Sequence, residues 1–395
     1  MWHYRKEVIG RRLVGTTWGG TGGPNKGYDG QTEKSVRLSA DLTFDDGSSR
    51  SLEATALLTT TLPAEPGWVA GDGHIHSNYS DGAYDIFQRR NDAINFGYKW
   101  IFMTDHSSAL SSTYADYVAT CASADNSSLA IGADQEVSAA AGGHYLAYRC
   151  NQALWDGYYN ESYLPTYVKE DNSPNSFGGV AHPNHSSYPW TDFPKDDPVF
   201  RFFELFSNER VPTSTTLTDW RGQLNNDRPG KIAAGDSGPF TVAVSGSDAH
   251  LIGTPYWGKN MTYLKASLTP PTIAPAYQAL LAGQAVASGD GSFARFTMGG
   301  KQIGQVLRTT ASDISVSYYI KGVSPSTIIS WFRLIKVSDG SIVPYSGETP
   351  NANFYQGAKT VTFPAGDNAY YLEVELLDSS GVTQRVYTNP IFLDR

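Results

Sequence analysis

The stretch Gly71–Gly82, GDGHIHSNYSDG, places two histidines, two aspartates and three glycines within twelve residues. His74 and His76 are two apart, so on an extended strand both rings leave one face while Ile75 points into the opposite layer. Two imidazoles on one face can grip one cation. Asp81 follows in Ser80-Asp81-Gly82, a turn that can swing its carboxylate back over the strand end toward a second ion. A surface hairpin with two incidental histidines would show the same short motif, so the remaining histidines decide the reading.

Of the eight histidines only His3 lies outside the span His74–His250. The others sit in TDH (Thr104–His106), GGHYLAY (Gly142–Tyr148), AHPNH (Ala181–His185) and GSDAH (Gly246–His250), and GADQEV (Gly132–Val137) adds Glu136. Each motif follows or contains a short apolar run, which predicts delivery of a ligand to one rim from several strand ends. Taken singly, Glu136 reads as a surface carboxylate and His144 as a core histidine in a strand. The ordered set favours a metal site.

Outward from this centre, residues 1–68 read as a small β domain. Val36, Leu38, Ala40, Leu42 and Phe44 alternate on one face, Asp45-Asp46-Gly47 offers a turn, and Leu52–Leu58 runs back. GTTWGGTGGPNKGYDG, before it, lacks the phosphate-loop pattern and reads as loop. Leu62–Trp68, with two prolines, reads as a stiff linker.

Residues 69–285 alternate short strands and helices. The pattern predicts a helix over Tyr84–Phe96 with Tyr84, Phe87, Ile94 and Tyr98 near one face and Gly97 ending it. Further helices are expected at Tyr114–Ser123, Thr218–Asn225 and Ile273–Leu281. Strands are expected at Trp100–Met103, Leu129–Val137, His144–Tyr148, Phe177–Ala181, Phe200–Phe206 and Phe240–Val244. Repeated β and α units suggest a parallel barrel whose functional residues gather at the carboxyl ends of the strands. Residues 286–395 return to strands at Ile314–Ile320, Thr327–Leu334, Thr360–Phe363, Tyr370–Leu377 and Val386–Phe392, the pattern of a β-sandwich.

The 395 residues exceed what one core usually serves, and 40% apolar content suffices for real cores. No apolar run reaches the length of a membrane helix, so a soluble protein is expected. A net charge of −9 without a Lys/Arg cluster disfavours a nucleic-acid groove or an anionic membrane as partner. Only 17% of residues are charged, a balance of exported bacterial proteins that predicts an extracytoplasmic location, although the opening MWHYRKEVIG has no apolar signal core. Cys121 and Cys150 allow either a disulfide, which would add about 3 kcal/mol, or two buried thiols.

Together these motifs resemble the PHP (polymerase and histidinol phosphatase) superfamily over roughly residues 69–285. The flanking β regions, the GDGHIH opening and YTNPIFL (Tyr387–Leu393) look most similar to its carbaryl hydrolase (CehA/McbA) branch. The resemblance implies an α/β fold, a distorted (β/α)7 barrel between an N-terminal β domain and a C-terminal β-sandwich. It also implies two or three divalent ions, Zn, Mn or Fe. Carried over by motif, His74, His76, Asp248 and a bridging Glu136 would hold the first, Glu136, His144 and His182 the second, and Asp81, His106 and His250 the third. Oxygen and imidazole donors without thiolate suit those metals. Two departures stand out. Gly73 replaces a bulky apolar residue, and Asn184-His185 follows Pro183 where phosphatases of the superfamily often carry a phosphate-gripping arginine loop.

The expected activity is metal-dependent hydrolysis of a small-molecule ester by a metal-bridging hydroxide, since a bound cation brings the pKa of water to about 7. Phosphate mono- or diesters lead. A carboxylic or carbamic ester is the rival substrate, and a non-catalytic, metal-stabilised binding module is the rival class. Asp248 or His250 would move a proton, and His185 would replace the missing arginine as a hydrogen-bond donor. Asp72 and Asp105, beside ligand histidines, would either orient imidazoles or cap turns.

Overall fold

The alternation at Val36–Phe44 pairs as a hairpin: in the computed structural model β2 (Ser35–Phe44) lies antiparallel between β1 (Leu13–Thr21) and β3 (Ser49–Leu57). Strand β1 corrects the loop reading of the glycine-rich stretch. Thr16, Thr17 and Trp18 are strand formers and outweigh the neighbouring glycines. The structure describes the backbone of residues 13–21, 35–44 and 49–57, and then residues 62–63, 65–140, 142–170, 175–193, 200–207, 211–251, 256–268 and 272–395. The expected turn at Asp45–Gly47, the burial of one face of the hairpin and the remainder of the glycine-rich stretch lie outside the described residues. Residues Met1–Thr60 form one unit and Thr61–Arg395 a second.

In the second unit the predicted apolar runs become β4 (Val69–Ile75), β5 (Trp100–His106), β6 (Ala130–Ser138), β7 (His144–Tyr148), β8 (Phe177–Ala181), β9 (Phe200–Phe206) and β10 (Val242–Ser245). These seven strands lie side by side in chain order. Strands β4, β5 and β6 are parallel, β7 is antiparallel to both its neighbours, and β8, β9 and β10 are parallel. The ends of the run meet in a parallel bridge between Ile75 and Ala249, where His76 N–H donates to Ala249 O (3.1 Å) and Asp248 N–H to His74 O (2.9 Å). Trp100–Met103 is buried throughout, as a strand covered on both faces must be.

Between the strands run α1 (Ile86–Asn95), α2 (Ser107–Leu110), α3 (Tyr114–Ala124), α4 (Leu164–Glu170) and α5 (Ser214–Ala233). Helix α1 starts at an Asp85/Gln88 capping box and is followed by Gly97 at φ 85°. Its buried face is Ile86, Arg89 and Ala93, whereas Phe87 is exposed, so the expected apolar stripe is displaced. The reason is Arg89, whose guanidinium is drawn inward by backbone carbonyls described below. Helix α5 runs eight residues past the expected Asn225 end, through Pro229, because Trp220, Leu224 and Ile232 keep it buried.

Near the end of α5, Lys231 is 2% exposed; its Nζ donates to Asp236 O (3.0 Å) and lies 5.4 Å from the Phe240 ring centre. Burial lowers its pKa to about 8, against a weaker opposing pull from Asp236. The unfolded value is about 10.4, so between these values the unfolded chain binds more protons and folding stability rises with pH. Relative to Lys231→Met, wild type is therefore expected to gain stability as pH is raised from 7 to 9.5. Denaturant midpoints at the two pH values check this, and an unchanged difference between the proteins would contradict it.

After β11 (Met261–Leu264), α6 (Ala274–Leu281) and β12 (Ala285–Ser288), the chain forms β13 (Phe293–Met298), β14 (Lys301–Gln302), β15 (Val306–Arg308), β16 (Asp313–Lys321), β17 (Ile328–Lys336), β18 (Phe354–Thr362), β19 (Asn368–Leu377), β20 (Thr383–Thr388) and β21 (Ile391–Asp394). Strands β14, β13, β16 and β18 make a four-stranded sheet. The others extend the first sheet through β4, β11, β12, β20 and β19 to fourteen strands. Val386–Phe392, expected as one strand, breaks at Asn389-Pro390. Pro390 has no N–H for a ladder, and the Asn389 side chain instead bonds Ala243 N (2.7 Å), Ala243 O (3.0 Å) and Ala285 O (2.9 Å). Leu62–Trp68 is not a free linker either: Trp68 is buried edge-on against Phe293, and Glu65 pairs with Arg295. Cys121 and Cys150 are both unbridged. Among the described residues no helix is long and apolar enough to cross a membrane.

Candidate metal centre

The HIH segment ends β4 with both rings fully buried and Ile75 in the core on the other side. Thr104 Oγ1 accepts the Ile75 N–H (3.0 Å), so the strand ends in register with β5. Asp105 accepts from Ser77 N–H (2.8 Å) and Oγ (2.7 Å) and from Ser80 N–H (3.1 Å) and Oγ (2.7 Å), folding the turn that presents Asp81. A side chain at Gly82 would come within 2.5 Å of His76 O, so the turn closes only on glycine. Asp72 accepts the backbone N–H groups of His74 (3.0 Å) and Ser247 (3.1 Å), tying β4 to the segment after β10. The hydrogen bonds of both aspartates thus shape backbone rather than orient imidazoles, the second of the two expected roles.

Three groups of ligand-type atoms converge here, the atoms of each lying within 4.8 Å of one another. In the first, His74 Nε2 lies 3.3 Å from both Glu136 Oε1 and Asp248 Oδ1, and His76 Nε2 lies 3.2 Å from Glu136 Oε2 and 3.4 Å from Asp248 Oδ1. In the second, Glu136 Oε1 lies 2.9 Å from His144 Nδ1 and 3.0 Å from His182 Nε2. In the third, Asp81 approaches His250 Nε2 (3.2 Å), His106 Nε2 (3.5 Å) and His76 Nδ1 (3.6 Å). Glu136 belongs to two groups. So does His76, which sequence reasoning placed in the first alone. His182 and Asp248 adopt positive φ (27° and 52°), a strain that surrounding contacts must hold.

The donor set fits divalent cations on two counts. His74 Nε2, His76 Nε2 and His106 Nδ1 are buried without a hydrogen-bond partner, although carboxylate oxygens stand 3.2–3.3 Å away. Nitrogen lone pairs and carboxylate oxygens aimed at common points, not at each other, are the geometry a cation satisfies. The field agrees. Burial opposes charge on His74 and His76, yet Glu204, Glu136 and Asp248 push His74 well above the usual value, and Asp248 and Glu136 push His76 up to about 9. Against the same opposing burial, His74, with His144 for Glu136 and His76 for Asp248, holds both carboxyls well below the carboxylate range. The floor of the site therefore favours positive charge.

A cavity of about 680 Å³ opens over these groups, bounded by Ser108, Ser138, Ala140, Gly142, Asp156, His185 and Tyr188. His185 belongs to none of the three groups. Its Nδ1 accepts the Ser187 N–H (3.2 Å), which leaves the proton on Nε2. Tyr188 stacks on both His185 and His144, with ring centres 5.4 and 4.6 Å apart. His250 has the opposite tautomer: Nδ1 lies 2.9 Å from Asp248 O, a pure acceptor, so Nδ1 carries the proton and Nε2 the lone pair.

Two residues escaped sequence reasoning. Arg89 is fully buried and donates from Nε to His76 O and from Nη2 to Ala249 O, each at 2.9 Å. Nothing in a helical pattern separates it from an exposed arginine. Glu204 accepts from His74 Nδ1. It did leave a signal, as the one acid inside the apolar run FRFFELF, where a buried carboxylate demands partners.

No family model and no curated protein matches the chain. Among solved structures the chain is similar to a two-domain protein from Bacteroides vulgatus ATCC 8482 containing a predicted PHP-like metal-dependent phosphoesterase. The two are 14% identical, the match covers 85% of this chain and 99% of that one, and the TM-score is 0.45.

Proposed function

We propose that this chain is a metal-dependent hydrolase of small-molecule esters, with phosphate esters as the leading class, built on the PHP plan. The observation that carries the proposal is the convergence of six imidazoles and three carboxylates, four of the imidazoles and all three carboxylates lining one cavity. A distorted seven-stranded barrel followed by a β-sandwich is the matching reading of the fold, supported by the Ile75–Ala249 bridge that joins the ends of the seven-strand run. An extracytoplasmic location, suggested by composition, completes it.

His74, His76, Glu136 and Asp248 would hold one ion, Glu136, His144 and His182 another, and Asp81, His106 and His250, with the second face of His76, a third. Divalent ions bound there supply a Lewis acid for an ester oxygen and an acidified water. The chain does the rest. Glu136, reaching two groups with its two oxygens, sets their spacing. His185 lines the cavity with Nε2–H as its free donor type, and would offer it to a non-bridging phosphoryl oxygen or an ester carbonyl. His250 Nε2 can accept a proton when it is not itself a ligand, and Asp248 stays ionised to balance the ions.

Chromogenic phosphomonoesters, phosphodiesters, carboxylic esters and carbamates, assayed before and after chelation, test the proposal. Turnover of phosphate esters is expected to vanish with the chelator and return with Zn²⁺, Mn²⁺ or Fe²⁺. Turnover confined to carboxylic or carbamic esters would change the substrate class. Bound ions without turnover of any ester would favour a binding module, and absence of bound ions would remove the proposal.

A further inference from the structure

We propose that Glu204 is a positioning residue that holds ligands of two ion groups in register; the inference rests on the metal-hydrolase reading. Glu204 lies within β9, between β8 and β10, and is 1% exposed. Its two oxygens stand 3.2 and 3.3 Å from His74 Nδ1, so that nitrogen donates to the carboxylate and Nε2 is left to face the point it shares with Glu136 and Asp248. The same carboxylate accepts the His182 backbone N–H through Oε2 at 2.8 Å. His182 has φ 27°, outside the comfortable range for a residue with a side chain, and it presents Nε2 to Glu136 in the second group. One carboxylate thus fixes a ring in the first group and a strained backbone in the second.

An independent observation concerns Gly246, the residue that opens GSDAH. A Cβ there would collide with Glu204 Oε1 and lie 2.6 Å from the His74 Cβ. The chain omits a side chain where the carboxylate and the imidazole meet, and two residues later it delivers Asp248. Glu204 therefore touches the ligand-bearing ends of β4 and β8 and abuts the segment after β10.

A carboxylate on the far nitrogen of a ligating imidazole fixes its tautomer and raises its basicity, and loss of such a partner weakens metal binding by about 10- to 100-fold. Glu204→Gln keeps the shape but removes the charge, and its single carbonyl oxygen cannot serve both donors as the carboxylate does. Zn²⁺ titrated into the full chain against a competing chelator is expected to bind Glu204→Gln about 10- to 100-fold more weakly than wild type. Co²⁺ spectra of the folded variant should be altered. Glu204→Asp, which keeps the charge one methylene short, should fall between, and it carries the same comparison where the glutamine variant fails to fold. Equal Zn²⁺ affinity and identical Co²⁺ spectra in wild type and variant would overturn the role of Glu204 alone. A wild type that binds none of Zn²⁺, Mn²⁺ and Fe²⁺ would overturn both this inference and the hydrolase reading.

Discussion

Glu136→Gln is expected to leave a folded protein that has lost most of its bound ions and about a thousandfold or more of its kcat/KM, since several kcal/mol of transition-state charge stabilisation depart with the ions. Among the described residues Glu136 alone belongs to both inner groups, facing His74, His144 and His182 through one oxygen and His76 through the other. An amide offers one neutral acceptor, and its NH₂ faces nitrogens that should be ligating. The fold should survive, because glutamine keeps the volume and the imidazoles facing it can be neutral, so no uncompensated charge need stay buried. Elemental analysis of the purified variant beside wild type checks the first half and ester turnover the second. Full ion content in the variant would exclude Glu136 as a shared ligand.

Arg89→Met should destabilise the fold by about 3 kcal/mol, from two hydrogen bonds made by a charged donor at about 1.5–3 kcal/mol each, partly offset by relief of burying the guanidinium. Methionine keeps most of the stem between the Tyr84 and Trp257 rings, whose centres lie 5.3 and 5.6 Å from the guanidinium carbon. The released carbonyls belong to His76 and Ala249, neighbours in the bridge that joins β4 to the segment after β10. Ion content should therefore fall together with the denaturant midpoint. A lower midpoint with undiminished Zn²⁺ affinity per folded molecule would confine Arg89 to stability.

Much of the architecture is legible in local pattern. His144–Tyr148, Phe177–Ala181 and Phe200–Phe206 are strands at the expected bounds, because short apolar runs between Gly, Pro and Ser have few other solutions. The histidine motifs are legible as strand-end segments for the same reason. What escaped depends on partners distant in the chain. Arg89 is inward only because carbonyls 13 and 160 residues away accept from it, and Asn389 interrupts a strand because Ala243 and Ala285 offer it better bonds than a ladder would. The pairing of β1 likewise depends on β2, which a window over the glycine-rich stretch does not contain.

Strand β12 takes one row of hydrogen bonds from β11 and the other from β20. A strand far along the chain thus completes a sheet begun at β4, and until β20 pairs, β12 has a raw edge open to any passing strand. Growth or exchange of the carboxyl-terminal half during evolution must therefore leave that seam intact, with Asn389 as its rivet.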